Sequence, residues 1–597
     1  MGDVTDCAPL VQYERRMSEL QAGFGEARSH GALATVLLVI AIALFLALGL
    51  LAFRRQISFL WPSLSIPLAA ESARRVRRCW HSQSRIGRLQ RFYDRAIRRV
   101  GGDWVGSGAS GGEFAEPGHA YARDLDIFGE GSLFDMLCTA RTAIGQRGLA
   151  DYLLKAPSVA ETLSRQQAVR ELRGQVDLRE RLALLGDFEF FESKWETFAE
   201  WLARPALSAG GSIRIAAFIT SALVAGMVVG GLTGLVPWIR VAIWAAPLVA
   251  FHSVVGLLFR DRINRMIVWL RPVSIETQVL REGLRLLEHH QFQSSKLRQL
   301  AGRVRNGSKS VRKLERLLNA LNERNKEWFF GPSLLLLTGT QLCLAIEQWR
   351  IQHRAALRGW LDAWAEFEAL IGLANYAYEN PENAFPELST EGARFEAEGL
   401  GHPLLPGASC VGNDVQLNRE SRFYVVSGSN MSGKSTLLRA IGLNAVLAFA
   451  GAPVRAQVLR LSRLSVCASI SVVDSPLNGK SKFMAELDRL RYAIQAALEG
   501  ESALFLIDEI FGGTNSRDRR VAAEAVVRAL VNHGAIGALS THDLALSEIA
   551  SSDLRGVNVH TGSRDGSDPL DFDYRLKPGV TTEANALAIA RMAGVPI

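Results

Sequence analysis

The stretch VVSGSNMSGKSTLLRAIG, Val425 to Gly442, decides how the C-terminal part of this chain is read. Gly428, Gly433, Lys434 and Ser435 fit the spacing G-x-x-x-x-G-K-[ST]. Phe423 to Ser427 predicts a short buried strand, and Thr436 to Leu447 predicts a helix. Strand, glycine loop and helix is the context this spacing requires. The physical reason is charge. Glycines let backbone N–H groups turn inward around phosphate oxygens, and the following helix points its positive end at them. Residues Gly428, Ser429, Asn430, Met431, Ser432, Gly433, Lys434, Ser435 and Thr436 form the candidate cradle. Lys434 would reach the β- and γ-phosphates, and the Ser435 hydroxyl would ligate Mg²⁺. The plain alternative is a glycine-rich turn ahead of an ordinary helix.

A second stretch argues against that alternative. ALFLIDEIFGGTNSRDR holds an apolar run, Ala503 to Ile507, that ends in Asp508-Glu509. A run apolar on both faces suits a parallel strand covered by helices. Carboxylates at its C-terminal end stand where open α/β sheets bind ligands. Asp508 is expected to hold Mg²⁺ through water, and Glu509 to orient or deprotonate an attacking water. ALSTHD closes another apolar run and puts His542 at a strand end, placed to sense a γ-phosphate.

Together, SGSNMSGKST, DEIFGGTNSRD, STHD and SPLNGKSKFMAEL resemble the ATPase domain of the MutS family. GHPLL (401–405) and NDVQL resemble the lead-in to that family's phosphate loop, and DYRLKPGVTTEANALAIARMAGVP its C-terminal stretch. GSLFDMLCTARTAIGQRGLADYLLKAP and RQQAVREL resemble the start of its helical core. The resemblance covers most of Arg123 to Ile597. It implies ATP and Mg²⁺ as cofactors, DNA as a possible partner, and nucleotide held between two ATPase domains of a homodimer. The loop SPLNGKSKFM would then reach the other subunit's nucleotide. Gly479 permits close approach, Ser481 offers a hydroxyl, and Lys480 and Lys482 add positive charge. No soluble domain comparable to the family's mismatch-reading domain precedes Asp124, and no helix-turn-helix follows the ATPase segment. The chain resembles a membrane-anchored branch of MutS-related proteins.

The membrane reading comes from the residues themselves. Gly31 to Phe53 is 23 residues without a charge, where a spanning helix needs about 20. Ile215 to Val236 and Val241 to Phe259 read as a transmembrane hairpin turned at Pro237–Arg240, with His252 inside it. Residues 1–30 hold five acids against three arginines, whereas 54–100 hold twelve arginines against two acids. The positive-inside rule then places the N-terminal tail outside and the ATPase in the cytoplasm. A fourth apolar stretch, Trp328 to Ile346, reads as a buried core helix, because a further span would carry the ATPase away from ATP.

The expected fold is thus an α-helical core with transmembrane helices plus a C-terminal α/β P-loop ATPase domain of ABC type. Its segments are an external tail (1–30), a span (31–53), a basic juxtamembrane helical segment (54–122), a lever core (123–400, interrupted by the hairpin 215–259) and the ATPase domain (401–597). Leu280, Leu284 and Leu287, and Val311, Leu314, Leu318 and Leu321, fall on helical faces, with a break at Gly302 or Gly307-Ser308. The arginine-rich run RRVRRCWHSQSRIGRLQRFYDRAIRR fits anionic lipid first and nucleic acid second. The six cysteines, at 7, 79, 138, 343, 410 and 467, lack metal-ligand spacing. Three spans without charged intramembrane residues argue against a transporter. Two functions remain. One is a membrane-anchored MutS-like ATPase coupled to DNA. The other is an ATP-driven switch acting on a membrane or protein partner.

Overall fold

A computed structural model describes residues 9–58, 60–116, 118–186, 201, 211–323, 338–429, 431–470, 482–498, 502–512, 516–550, 553–562 and 571–581. It divides into two compact units. One comprises 1–139, 150–184 and 371–597; the other comprises 140–149 and 185–370.

The first unit opens with two long helices, α1 (Pro9–Phe53) and α2 (Ser65–Gly101). They pack along each other antiparallel. Gln83 Nε2 donates to the Ala27 carbonyl at 3.0 Å, and the Tyr13 and Tyr93 rings meet edge-on at 5.5 Å. α2 stops at Gly102, whose φ of 85° is the left-handed cap that glycine adopts cheaply. Residues 9–30 of the segment expected as an external tail form the first half of α1, docked on α2. The basic juxtamembrane segment is a helix only through Gly101. Beyond it, α3 (Leu133–Leu137), α4 (Ala143–Leu154, whose residues up to 149 belong to the second unit), α5 (Val159–Arg173) and α6 (Val176–Ala183) follow short loops.

The second unit holds α7 (Gly211–Leu232) and α8 (Trp238–His289), then α9 (Ser295–Arg303), α10 (Gly307–Glu323) and α11 (Thr338–Glu379), the last ending in the first unit. α7 and α8 pack against each other where a transmembrane hairpin was expected, but among the described residues neither apolar stretch is long enough to count as a span. Ile215, Phe218, Ile243 and Trp244 are exposed on them, while His252 is buried and bonded to Thr220 Oγ1 at 2.7 Å. That bond gives His252 a packing role. α8 runs without a break from the apolar hairpin to the leucine stripe. Leu280, Leu284 and Leu287 are buried, as are Val311, Leu314, Leu318 and Leu321 on α10. The break between α9 and α10 is made at Asn306, which takes φ 63°.

Among the described residues, α1 alone is long and apolar enough to cross a membrane, with a mean hydropathy of 3.1 over its best window. The apolar stretches Phe218–Leu232 and Trp238–Val254 are shorter. Residues 328–337 of the fourth apolar stretch lie outside the described residues. The remainder enters α11, where Thr340, Cys343 and Ile346 are buried, as a core helix requires.

The C-terminal segment adds two sheets. A small one orders β1 (Glu387–Ser389), β5 (Val458–Ser462), β2 (Phe395–Leu400) and β3 (Asn413–Leu417). The larger one runs β10-β9-β4-β8-β7-β6. Its strands are β4 (Phe423–Ser427), β6 (Ser465–Ser469), β7 (Ala503–Asp508), β8 (Ile536–Thr541), β9 (Gly556–His560) and β10 (Lys577–Pro578). All its pairs are parallel except β10 on β9. β4 and β8 are buried at every position, which explains their unbroken apolar sequence. Phe423, Phe505, Ile507 and Leu539 form one core with Leu490 and Ala493 of α13 (Lys482–Leu498) and Val527 and Leu530 of α14 (Ser516–Asn532). On the other face, α12 (Lys434–Ala450) carries Gly442, where a Cβ would come within 2.7 Å of Leu125 and 2.9 Å of Leu506.

This contact involves the start of the segment expected as a core over 123–400. Asp124 is fully buried; its carboxylate accepts from Ile470 N at 2.8 Å and Arg489 Nη1 at 2.6 Å, and its carbonyl accepts from Arg439 Nε at 3.0 Å. A buried carboxylate needs such partners. They bind the start of the expected core into the unit that holds the large sheet.

Candidate functional site

The loop after β4 crosses the C-terminal edge of the sheet. Gly428 takes φ 153°, and a Cβ there would lie 2.6 Å from the Thr561 carbonyl and 2.8 Å from Ser432 Oγ. Only glycine fits. Ser432 is buried and shares a 2.7 Å hydrogen bond with Thr561 Oγ1. Met431 is exposed, and Gly433, at φ 95°, caps α12 from the left-handed region. Ser429 is half-buried, Thr436 is exposed in the first turn of α12, and Asn430 lies outside the described residues.

Lys434 is buried and folds back over the loop. Its Nζ donates to the carbonyls of Gly428 at 3.0 Å and Ser429 at 2.7 Å. Desolvation pulls its pKa below the usual lysine value, while Asp508 and Glu509 pull it the other way. A desolvated ammonium held by carbonyls favours an anion that brings full negative charge.

Sheet register then brings the other groups in. β7 and β8 pair Asp508 with Ser540 directly. Ser540 Oγ donates to Asp508 Oδ1, and Ser435 Oγ donates to Asp508 Oδ2 at 2.5 Å. One carboxylate and two hydroxyls from three elements thus meet beside the loop. The next residue, Glu509, takes φ 50°, a conformation worth noting in a non-glycine residue. Its N–H donates to the Ser540 carbonyl at 3.1 Å. His542 Nδ1 lies 2.9 Å from Glu509 Oε1, and both side chains stay open to solvent. Phe511 repeats the left-handed backbone at φ 54° and is tied through its N–H to buried Glu486 Oε1 at 2.9 Å.

The lead-in GHPLL is built into the same assembly. Buried Asn444 of α12 donates to the Gly401 carbonyl at 2.9 Å and accepts from Arg455 N at 2.7 Å. Burial, with Arg439 and Arg455 nearby, pushes the His402 imidazole down to about 4.

Residues 424–597 match the sequence profile of MutS domain V. The DNA mismatch repair protein MutS of Methanosarcina barkeri is 26% identical over 526 residues, which cover 78% of this chain and 56% of that protein. DNA mismatch repair protein MutS 2 of Halobacterium salinarum is 32% identical over 253 residues, 41% of this chain and 28% of its own length. DNA mismatch repair protein MutS of Lactobacillus delbrueckii subsp. bulgaricus is 31% identical over 214 residues, 35% and 24% of the two chains.

Residues 424–597 of the chain form a MutS domain V, and the similarity to MutS proteins extends over most of the chain.

The chain spans from about a quarter to a little over half of the length of these MutS relatives. In MutS domain V of this chain, the structure brings together Gly428, Lys434, Ser435, Asp508, Glu509 and His542, as the motifs predict. The loop carrying Gly479, Lys480 and Ser481 lies outside the described residues, as does the C-terminal stretch from residue 582 onward. Three participants were missed. Ser540 stands in the same STHD box as His542, and its place in that box was the available signal. Thr561 has no local signal. Tyr574 takes φ 54°, is exposed, and sets a ring carbon 3.0 Å from where a Gly433 Cβ would stand. Asn413 holds that segment, donating to the Tyr574 carbonyl at 3.0 Å and accepting from Leu576 N at 2.7 Å.

Proposed function

We propose that this protein is a membrane-associated MutS-family ATPase whose nucleotide site is built from Gly428–Thr436, Asp508, Glu509 and His542. The observation that carries the reading is the meeting of Ser435, Ser540 and Asp508 beside a buried Lys434 turned onto its own loop. That arrangement suits a triphosphate. The loop N–H groups and Lys434 would take the β- and γ-phosphates, and the exposed Tyr574 ring offers a flat apolar surface beside Gly433. The Ser435 hydroxyl and the Asp508 carboxylate are hard oxygen donors of the kind Mg²⁺ takes, and the ion would supply charge neutralisation at the phosphates. Glu509, held out by its left-handed backbone, accepts a proton from the attacking water. His542 fixes the carboxylate's direction from 2.9 Å.

The names of the relatives support DNA as the partner of the helical core. Hydrolysis would be timed by a homodimer that shares nucleotide through Ser481, a role drawn from the resemblance of its loop to the MutS family. A second reading, a switch working on a membrane partner, is favoured by the exposed apolar surfaces of α1, α7 and α8. Those surfaces, and the arginines of residues 74–99, also support a location at the cytoplasmic membrane.

One experiment addresses the central claim. Purified full-length protein in detergent is assayed for ATP hydrolysis with and without Mg²⁺, beside Lys434→Ala. Mg²⁺-dependent turnover lost in the variant supports the site; equal turnover in both refutes it. Binding to branched and linear DNA, followed across salt concentration, separates the two partner readings, because purely electrostatic attraction fades as salt rises.

A further inference from the structure

The arginine count along the chain puts the N-terminus across the membrane from the ATPase domain. Packing says otherwise. The first turns of α1 are bonded into the unit that carries the nucleotide site. Arg16 Nε pairs with Glu180 Oε1 of α6 at 3.0 Å. Gln12 accepts from the Tyr378 hydroxyl, and the Tyr13 ring lies 5.5 Å from Tyr93 and 5.6 Å from Tyr378. The base of α2 is fastened beside it. Arg99 makes a two-point ion pair with Glu379, at 2.8 and 2.6 Å, with both side chains nearly buried. Burying such a pair is tolerated where both partners are held in good geometry. These contacts sit at one end of the α1–α2 pair.

The other end has the opposite character. Val36, Ile40, Leu46, Leu50 and Phe53 are exposed on α1, and Leu60, Trp61, Leu64, Ile66 and Leu68 on the turn and the start of α2. The helices stay closed along this stretch. Gly31 admits Cys79 and Gln83 to within 3.1 to 3.4 Å of where its Cβ would stand, and Ala34, Ala41, Ala52, Ser65 and Ser72 are buried. Small residues at the seam let helices approach closely, as membrane helix pairs do. From Gly31 to Phe53 the helix rises about 33 Å, close to the ~30 Å of a bilayer's hydrocarbon. Charge marks both limits. Arg54 and Arg55 stand at the tip. Arg77 and Arg78 stand just before Cys79, at the level of Gly31. Arg74 and Arg75 lie about one helical turn nearer the tip, and Glu71, paired to Arg75 at 3.2 Å, about 12 Å nearer it. Long arginine side chains reach from such positions to headgroup phosphates.

We propose that α1 and α2 enter an anionic bilayer together as a closed hairpin, with residues 54–63 at the far face and both helix bases on the ATPase side. The proposal rests on the membrane location proposed above. It replaces one crossing by two and puts the N-terminus on the same side as the nucleotide. The second crossing is made by α2 only in company with α1, since α2 by itself is not apolar enough to cross.

Single cysteines report the topology in the full-length protein. Ser18→Cys and Gln21→Cys stand on exposed positions of the α1 base, Gln56→Cys at the tip and Val521→Cys on the ATPase domain. Right-side-out and inverted vesicles are treated with a membrane-impermeant polyethylene-glycol maleimide, and the gain of one mass tag is counted against the parent chain. The expected result is tagging of Ser18→Cys, Gln21→Cys and Val521→Cys in inverted vesicles only, and of Gln56→Cys in right-side-out vesicles only. Tagging of Ser18→Cys or Gln21→Cys from outside overturns the hairpin in favour of a single crossing. Tagging of Gln56→Cys in inverted vesicles overturns it in favour of a hairpin that stays on one side, whether dipped in lipid or covered by a protein. Release of the parent chain by alkaline carbonate overturns the membrane location itself, a separate failure.

Discussion

His542 Nδ1 and Glu509 Oε1 stand 2.9 Å apart at the ends of neighbouring strands, with both side chains open to solvent. The pair aims a carboxylate at the space above the phosphate loop without burying it. Glu509→Gln preserves the shape and removes the proton acceptor. ATP hydrolysis is expected to fall by about 10²- to 10⁴-fold, the usual share of a general base, with nucleotide affinity kept. Single-turnover phosphate release set against equilibrium nucleotide binding checks the split.

Asp508 receives two hydroxyls, from Ser435 and Ser540. Asp508→Asn keeps the volume and loses the charge that a divalent ion requires. The variant is expected to lose the Mg²⁺ dependence of nucleotide binding. Titrating Mg²⁺ against a fluorescent ATP analogue reads this directly. An unchanged Mg²⁺ midpoint would remove Asp508 from the site.

Gly428→Ala places a methyl group 2.6 Å from the Thr561 carbonyl. The loop must shift away from Thr561, and with it the N–H groups that face the phosphates. Strain of this kind costs roughly 1–3 kcal/mol. Nucleotide affinity is expected to fall at least tenfold, while the thermal midpoint without nucleotide drops by only a few degrees. Calorimetric titration and a thermal melt test the two halves.

Glu368 lies buried in the helical unit, accepting from Arg141 N at 2.7 Å and from the Thr142 hydroxyl. Burial raises its carboxyl to about 7, opposed by those hydrogen bonds. A folded pKa above the unfolded value means stability that is complete below the unfolded pKa and lost as pH rises through about 7. From pH 6 to pH 8 the loss is about 1 kcal/mol by that linkage. Glu368→Gln is expected to flatten this part of the profile. Denaturation of both proteins in detergent at the two pH values decides it.

The chemistry of the nucleotide site is written locally. The glycine spacing, the paired acids after an apolar run and the STHD box each occupy a few neighbouring residues. Their backbone consequences follow from short-range sterics: Gly428 and Gly433 take positive φ, β4 is buried throughout, and α12 starts at Lys434. The leucine stripes of α8 and α10 were legible for the same reason, since helical periodicity is a local signal. Ser540 reached Asp508 only through strand register. Tyr574 reached Gly433 across more than a hundred residues of chain, and no local pattern marks it.

The apolar run of α1 is likewise a sequence fact, and its length alone makes it a membrane candidate. Which side its N-terminus occupies is not. Charge counting weighs arginines along the chain, whereas Tyr13, Arg16 and Arg99 spend their interactions on Tyr378, Glu180 and Glu379, far away in sequence. Asp124 shows the same division of labour. Sequence marks it as an acid near the start of a helical core, and only the fold buries it against Arg489 and Ile470 N beside the nucleotide sheet. Local sterics and periodicity set the elements and the motif chemistry; buried long-range ion pairs and ring contacts, which must be satisfied wherever the chain places them, set the partners of each element.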